Sequence, residues 1–493
     1  MVSYRLVSGD PSRIPSQEIR QGQTFIIGRN RQCKIKNLKC SRHYCTVQVS
    51  SDDRKLLVQY MKEPNKSQLF SSNQTIEGPG FMYRVKIVDS QPSKDDDFEW
   101  IDHESKKIIV GNYLGGIKSS SLIAAFDFDL TLVTTKSDKS FPINCDDWKL
   151  LDNRLPKQLS NLYQINYQIV IISNQMGIST GKVSTEDVKR RFENVIRFLN
   201  VPCLVLISSQ DDHYRKPRYG LWTFLVEKTD QPIDYNQSFY VGDAAGRKKS
   251  PLHKGDHSSG DLLFAVNVGL KFMVPEKFIL WAQSQEKTVP DMSSKLLQSV
   301  KCFRPQEQSY DDHLLYDVAN DRKITDLTTI LPSTVHCIIF VGLPASGKSS
   351  FYRQHLHSLD YKHVSNDLLG SEKKCVSISS KAFDEGKNVV IDNTNITKAN
   401  RAKWLEFCRT KKVLPLIFHF KIPLEHSLHN NLYRKFTTTS QSTVSKVVIY
   451  AANKKSEPPS PDECNNRLYE INFRPQFSDD QNRKLYYSYL NEK

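Results

Sequence analysis

The feature that most restricts the fold of this chain is two successive series of short, largely apolar runs separated by stretches of helical patterning. LIAAFDF, QIVIISN, CLVLISS and SFYVGD fall between residues 119 and 290, and HCIIFVG, NVVIDN and LPLIFHF follow from residue 333. Strands apolar on both faces belong to parallel sheets covered by helices on each side, and the intervening stretches have helical patterning. Two α/β parallel-sheet domains are therefore expected, at 119–290 and 333–493, with 291–332 as a connector. At 493 residues the chain is too long for one core, since single cores stop growing near about 250–300 residues.

Residues 1–90 have a different rhythm. TFIIG, YCTVQV, KLLVQY and YRVKIV alternate between Gly, Asn, Asp and Pro breaks, which predicts an all-β sandwich. The polar, acidic SQPSKDDDFEW then interrupts the pattern, and 91–118 is expected to be a linker. No apolar stretch is long enough to span a bilayer, and MVSYRLVSGDPSR has neither a secretory core nor a transit-peptide pattern, so an intracellular protein without a membrane partner is expected. The ten cysteines form no CxxC pair and are expected to be free thiols. Lys and Arg outnumber Asp and Glu by 69 to 54, a formal +15 that favours polyanionic partners.

In AAFDFDLTLV, Asp127 and Asp129 stand two apart at the end of an apolar run, which places both carboxylates on one side of a strand end. Ligand sites of open α/β sheets lie at that carboxyl edge. Ser173 closes QIVIISN, Asp243 closes FYVGD, and Lys216 in YRKPRYG is the available cation. A lone Asp at a strand end is usually a turn or a helix cap, but recurrence at three strand ends selects chemistry. One carboxylate can attack phosphorus, its neighbour can protonate the leaving oxygen, and Mg²⁺ can screen the phosphate from the nucleophile.

In CIIFVGLPASGKSS, a GxxxxGKS motif follows an apolar strand, the context such a phosphate loop requires. Gly342 and Gly347 shape the loop, Lys348 can reach the β- and γ-phosphates of ATP, and Ser349, followed by Ser350, can ligand Mg²⁺. Downstream, Asp367 in SNDLLG suits a base for an acceptor hydroxyl and Asp392 in VVIDN suits the metal shell. HNNLYRKF places His429, Asn430, Asn431 and Arg434 within two helical turns, where Arg434 can clamp the transferring phosphate.

The run from Asp127 to Asp243 resembles a haloacid-dehalogenase-type phosphatase. That resemblance implies Asp127 as nucleophile and Asp129 as acid/base, Thr131 and Ser173 as phosphate-binding residues, and Lys216 as the steadying cation; Asp127, Asp129 and Asp243 stand on the metal side. Leu130 departs from the family's usual Gly, and because leucine resists positive φ the loop is expected to be shaped differently. Nearly the whole chain resembles the eukaryotic polynucleotide kinase 3′-phosphatase family, through FPINCDDW, SNQMGIS, YRKPRYGLW, FYVGDAAGRK, GDLLFAVNVG, GLPASGKSS, VIDNTN and HNNLYRKF in order. The resemblance implies hydrolysis of 3′-phosphate termini and ATP-dependent phosphorylation of 5′-hydroxyl termini on DNA, with Asp367 as the kinase base. Asn366, Thr180 and Asn453 stand where the family more often has Arg, which bears on how DNA ends are gripped.

Through FIIGRN and KCSRHY, residues 1–90 resemble a forkhead-associated domain, which implies a phosphothreonine reader with Arg29, Ser41 and Arg42 on the phosphate and Lys39 at the rim. The expected molecule is thus a monomeric, nuclear strand-break repair enzyme that acts on DNA termini and docks on phosphothreonine-bearing scaffold proteins. RNA or a small metabolite as substrate, or a phosphopeptide-binding scaffold with decayed catalytic domains, are the alternatives left open by the motifs alone.

Overall fold

The computed structural model describes the backbone of eight strands between residues 3 and 88. With side chains it describes residues 97–492, apart from 117–118, 251–253, 285, 309–311 and 439–442. The chain divides into a unit of residues 1–99 and a unit of residues 100–493.

In the first unit, Gln17–Arg20, Ser3–Ser8, Phe81–Val88 and Thr75–Gly78 pair in that order as one four-stranded sheet; Thr24–Ile27, Cys45–Val49, Leu56–Tyr60 and Ser67–Phe70 pair as another. Every described pairing is antiparallel, for example Tyr4 opposite Ile19 and Phe25 opposite Val47. Arg29, Lys39, Ser41 and Arg42 lie outside the described residues.

The second unit contains two seven-stranded sheets. The first runs, in spatial order, Lys271–Met273, Phe239–Val241, Ile123–Phe126, Gln168–Asn174, Cys203–Ser208, Ile108–Tyr113 and Phe98–His103. Ile123–Phe126 pairs in parallel with Phe239–Val241 on one side and Gln168–Asn174 on the other. Its four residues are all buried, as the uniformly apolar run requires. Helix Thr185–Leu199 shows how the sequence builds a covering layer. Ser184 caps it by accepting from the Asp187 amide, Glu186 and Asp187 sit in the positive first turn, and Asn200 ends it in the left-handed conformation. Its buried stripe includes Val188, Phe192, Val195, Ile196 and Leu199, each contributing up to about 1.5–3 kcal/mol on burial. Phe192 stacks on Phe128 at 3.8 Å and so seats the loop that carries Asp127 and Asp129.

The second sheet runs Arg322–Ile324, Leu315–Asp317, Leu468–Ile471, Leu414–Phe420, His336–Gly342, Val389–Ile391 and Lys362–Val364. The central His336–Gly342 is wholly buried and pairs in parallel with Leu414–Phe420 and Val389–Ile391. Among the described residues no disulfide occurs and no helix is long and apolar enough to cross a membrane.

Two expected boundaries change. The linker expected at 91–118 contains the strands Phe98–His103 and Ile108–Tyr113, and the latter pairs antiparallel with Cys203–Ser208 from Ile108–Ser208 to Tyr113–Cys203. The edge strand Phe98–His103 is largely polar or exposed, which is why it reads as linker: an edge strand needs no apolar alternation to complete its ladder. The connector expected at 291–332 also belongs to both sheets' cores. Val300, with Met292 and Leu296, packs on the first core, while Leu315 and Ile324 pair as a hairpin in the second.

Candidate active sites

At the carboxyl edge of the first sheet, Lys216 is 2% exposed and its Nζ donates at 2.6 Å to Asp127 Oδ1, 2.8 Å to Asp261 Oδ1, 2.7 Å to the Ile172 carbonyl and 2.7 Å to the Tyr240 hydroxyl. The loop that delivers it is fixed by Asn174, whose Oδ1 accepts from the Lys216 amide and whose Nδ2 donates to the Lys216 carbonyl. Thr131 and Ser173 are buried, and the Asp243 amide donates to Thr131 Oγ1 at 3.1 Å. Asp127, Asp129, Thr131, Ser173, Lys216 and Asp243 are therefore brought to one place.

Asp129 turns to a separate set of partners. Its Oδ1 lies 2.7 Å from Arg191 Nη2, and its Oδ2 accepts from Gln175 Nε2 at 2.9 Å. Gln175 also donates to Ser173 Oγ at 3.0 Å. The third carboxylate of the buried cluster is Asp261: Asp127, Asp243 and Asp261 all bring an oxygen within 4.8 Å of one another. Gly242 permits this approach, and Asp261 Oδ2 accepts from the Ala244 amide.

Three buried carboxylates face one ammonium. Burial disfavours the Lys216 cation, but Asp127 and Asp261 outweigh it and hold the ammonium above its ordinary range. Burial, with the neighbouring carboxylates, pushes Asp127 up to about 7 and Asp243 up to about 9. An all-oxygen donor set with an excess of buried negative charge fits a hard divalent cation.

Leu130 has φ +57°, so the loop keeps the left-handed turn that a glycine would adopt, at a leucine 47% exposed. The expectation of a differently shaped loop is thus corrected in conformation: the exposed side chain projects away from the core, and the backbone bears the strain, about 1–2 kcal/mol.

In the second sheet, the loop Gly342–Lys348 joins the central strand to helix Lys348–Phe351. Gly347 has φ +92°, and a Cβ there would come within 3.1 Å of the Phe473 ring, so both conformation and space demand glycine. Lys348 Nζ donates to the carbonyls of Gly342 and Leu343 at 3.0 and 2.7 Å. Helix Leu424–Thr437 clamps the loop from outside: Ser427 Oγ donates to the Pro344 carbonyl and Asn430 Nδ2 to the Ala345 carbonyl. Burial lowers the Lys348 ammonium to about 8, against the attraction of Asp392 and Asp367 and with the repulsion of Arg434, so all four groups share one field. Burial also lowers Arg434, with Asp367 opposing. Asp392 is held by His363, whose Nε2 lies 2.9 Å from Oδ2 and whose ring stacks on Tyr352 at 3.9 Å. Ser349 is half-buried at the helix start, whereas Ser350 is exposed and accepts from Arg353.

Sequence reading missed Asp261, Arg191, Gln175 and His363. Asp261 carried a legible signal, a single carboxylate opening the otherwise apolar GDLLFAV. Arg191 sits mid-helix among charges and had none.

An aspartate-and-lysine phosphate centre at one sheet edge and a phosphate loop with its basic and acidic partners at another make this chain a phosphatase joined to a P-loop kinase. A model of the polynucleotide kinase 3 phosphatase family matches residues 122–279, and an AAA domain model matches residues 337–459. The bifunctional polynucleotide phosphatase/kinase of Schizosaccharomyces pombe is 28% identical over 363 residues, covering 73% of this chain and 82% of that protein. Polynucleotide 3′-phosphatase ZDP of Arabidopsis thaliana is 34% identical over 181 residues, 34% of this chain and 25% of that protein. A polynucleotide 3′-phosphatase of Saccharomyces cerevisiae is 26% identical over 210 residues, 31% of this chain and 86% of that protein. Residues 122–279 thus belong to the polynucleotide kinase 3 phosphatase family, and the chain as a whole is similar to bifunctional polynucleotide phosphatase/kinases.

Proposed function

We propose that this protein is a bifunctional DNA-end processing enzyme that removes 3′-phosphates and phosphorylates 5′-hydroxyls with ATP. The observation that carries the reading is the coexistence, in one compact unit, of the Asp127–Lys216–Asp261 cluster and the Lys348 loop faced by Asp367, Asp392 and Arg434.

In the first reaction an Asp127 carboxylate oxygen bonds to phosphorus as the bond to the 3′ oxygen breaks, and Asp129 gives that oxygen its proton. Water then attacks the aspartyl phosphate while Asp129 takes a proton back, releasing phosphate and restoring Asp127. Lys216, fixed by four acceptors, orients the nucleophile; Arg191 and Gln175 fix Asp129; Thr131 and Ser173 bind the phosphate. Asp127, Asp243 and Asp261 would hold Mg²⁺, which supplies neutralisation of the incoming phosphate's charge.

In the second reaction Asp367 takes the proton of the 5′-hydroxyl as its oxygen bonds to the γ-phosphorus and ADP departs. Lys348 and Arg434 offset the charge spread over the transferring group. Ser349 and Asp392 would hold the Mg²⁺ that accompanies ATP.

The two antiparallel sheets of the first unit support the forkhead-associated reading. It assigns Arg29, Lys39, Ser41 and Arg42 to a phosphothreonine of a repair scaffold; action on DNA ends is the ground for a nuclear enzyme. Both catalytic centres are built from one chain, which supports a monomer.

The test is a nicked duplex bearing 3′-phosphate and 5′-hydroxyl termini, followed at both ends with and without ATP. The 3′-phosphate should be released in either case and the 5′ end labelled only with ATP. Asp127→Ala should abolish only the first activity and Lys348→Ala only the second; retention of 3′-phosphate release by Asp127→Ala would refute the assignment.

A further inference from the structure

The kinase helix Asp480–Tyr486 is followed by a segment that leaves its own sheet and lies against the phosphatase sheet's loops. Tyr486 anchors it on the kinase side: its hydroxyl donates to Asn430 Oδ1 and its carbonyl accepts from His429 Nε2. From Tyr489 onward the partners change. The Tyr489 amide donates to Asn267 Oδ1 at 2.7 Å, and Asn267 Nδ2 donates at 2.8 Å to both the Tyr489 and Pro217 carbonyls. Arg218 Nη1 donates to the Leu490 carbonyl at 3.3 Å. The amide and hydroxyl of Ser259 both donate to the Glu492 carbonyl, at 3.0 and 2.9 Å, and Arg215 Nη2 lies 3.1 Å from Glu492 Oε1. Tyr489 and Leu490 are buried.

The two elements laced in this way are those that deliver Lys216 and Asp261. Lys216 sits in the loop Arg215–Arg218, and Asp261 opens the helix Gly260–Val268 whose N-cap is Ser259. Ser259 makes no side-chain cap of its own; its donors go to Glu492 instead. Asn267, at the other end of that helix, donates directly to the Pro217 carbonyl next to Lys216 and, separately, to the Tyr489 carbonyl of the segment. Lys216 and Asp261 are in turn the partners that flank Asp127.

We infer that Tyr489–Glu492 are positioning residues of the phosphatase centre, holding Lys216 and Asp261 in register around Asp127, so that a segment following the kinase helix is needed for full 3′-phosphate turnover. The inference rests on the phosphatase reading of Asp127. A displacement of about 1 Å in a catalytic group costs up to about 100-fold in rate, and these bonds remove that freedom from two of the cluster's members.

The test uses the full chain against a variant lacking residues 489–493, with Asn267→Ala, Glu492→Gln and Asp127→Ala alongside. Turnover and KM on a 3′-phosphorylated oligonucleotide, the 5′-kinase rate and the melting temperature are measured for each. The deletion and Asn267→Ala should each lower phosphatase kcat by about tenfold or more, with KM and the kinase rate within about twofold. Glu492→Gln, which weakens the ion pair to Arg215 but keeps the carbonyl that holds Ser259, should lower phosphatase kcat by less than the deletion does. A phosphatase kcat within about twofold of wild type in the deletion, or a parallel fall of both activities with the melting temperature, overturns the inference. Should the deletion not fold, a shorter variant lacking only residues 492–493, which loses the Ser259 bonds and leaves Asn267 and Pro217 joined, decides by the same criteria. Full phosphatase activity in Asp127→Ala would instead sink the underlying reading.

Discussion

Gly242 approaches Asp261 so closely that a Cβ at residue 242 would stand 2.5 Å from the Cβ, Cγ and Oδ2 atoms of the aspartate. The helix that brings Asp261 to Lys216 can dock only because the residue before Asp243 has no side chain. Gly242→Ala should therefore push Asp261 off Lys216, lowering 3′-phosphatase kcat by about 100-fold and stability by about 1–3 kcal/mol, while 5′ phosphorylation persists. Paired activity assays and denaturant melts would check both numbers.

Leu130 tests whether a left-handed loop conformation is itself the requirement. Leu130→Gly should leave stability within about 1 kcal/mol and retain activity, since relief of strain and the entropy of glycine roughly cancel at an exposed site. Leu130→Val should be the worse substitution, because a β-branched residue tolerates φ +57° least. A valine variant equal to glycine in melting temperature would count against a strained turn.

Asp367→Ala should reduce the 5′-kinase rate by about 10³-fold yet leave ATP affinity within about threefold, because the proposed proton acceptor touches the hydroxyl and not the nucleotide. Titration with a fluorescent ATP analogue separates the two. Lost nucleotide binding would place Asp367 on the phosphate side.

Arg401 is fully buried and its guanidinium meets Glu463 through Nε and Nη2, both at 2.8 Å. Glu463→Ala leaves that charge buried without its carboxylate and should cost about 3–5 kcal/mol. Equilibrium unfolding of the variant gives the value directly.

Acid should loosen the kinase half through two histidines. Burial lowers His426 to about 4 and His429 to about 3, from an ordinary 6.5. Below pH 6.5 the unfolded chain takes up protons that the folded imidazoles refuse, so their contribution to stability is whole at pH 7 and falls with pH. The loss is about 1.4 kcal/mol per pH unit for each histidine until the folded values are reached. The slope of stability between pH 6.5 and 5 should flatten in a His426→Gln, His429→Gln double variant relative to wild type; identical slopes would exclude these groups.

Asp127, Asp129, Ser173, Asp243 and the Gly342–Ser349 loop could be read directly from the chain, because strand periodicity and a contiguous motif are local properties that fix which end of a strand a residue occupies. The apolar runs likewise determined the parallel centres of both sheets, but not the antiparallel strands added beside them. Asp261 and Arg191 reach the phosphatase centre from helices, His363 supports Asp392 from a neighbouring strand, and Ile108–Tyr113 joins Cys203–Ser208 across about 90 intervening residues, with Phe98–His103 as the edge beyond it. Tyr489–Glu492 stand more than 220 residues from the helix they brace. Such partners are chosen by which surfaces pack together, and packing depends on side chains from both sides of the contact, which no local pattern along one stretch of chain contains.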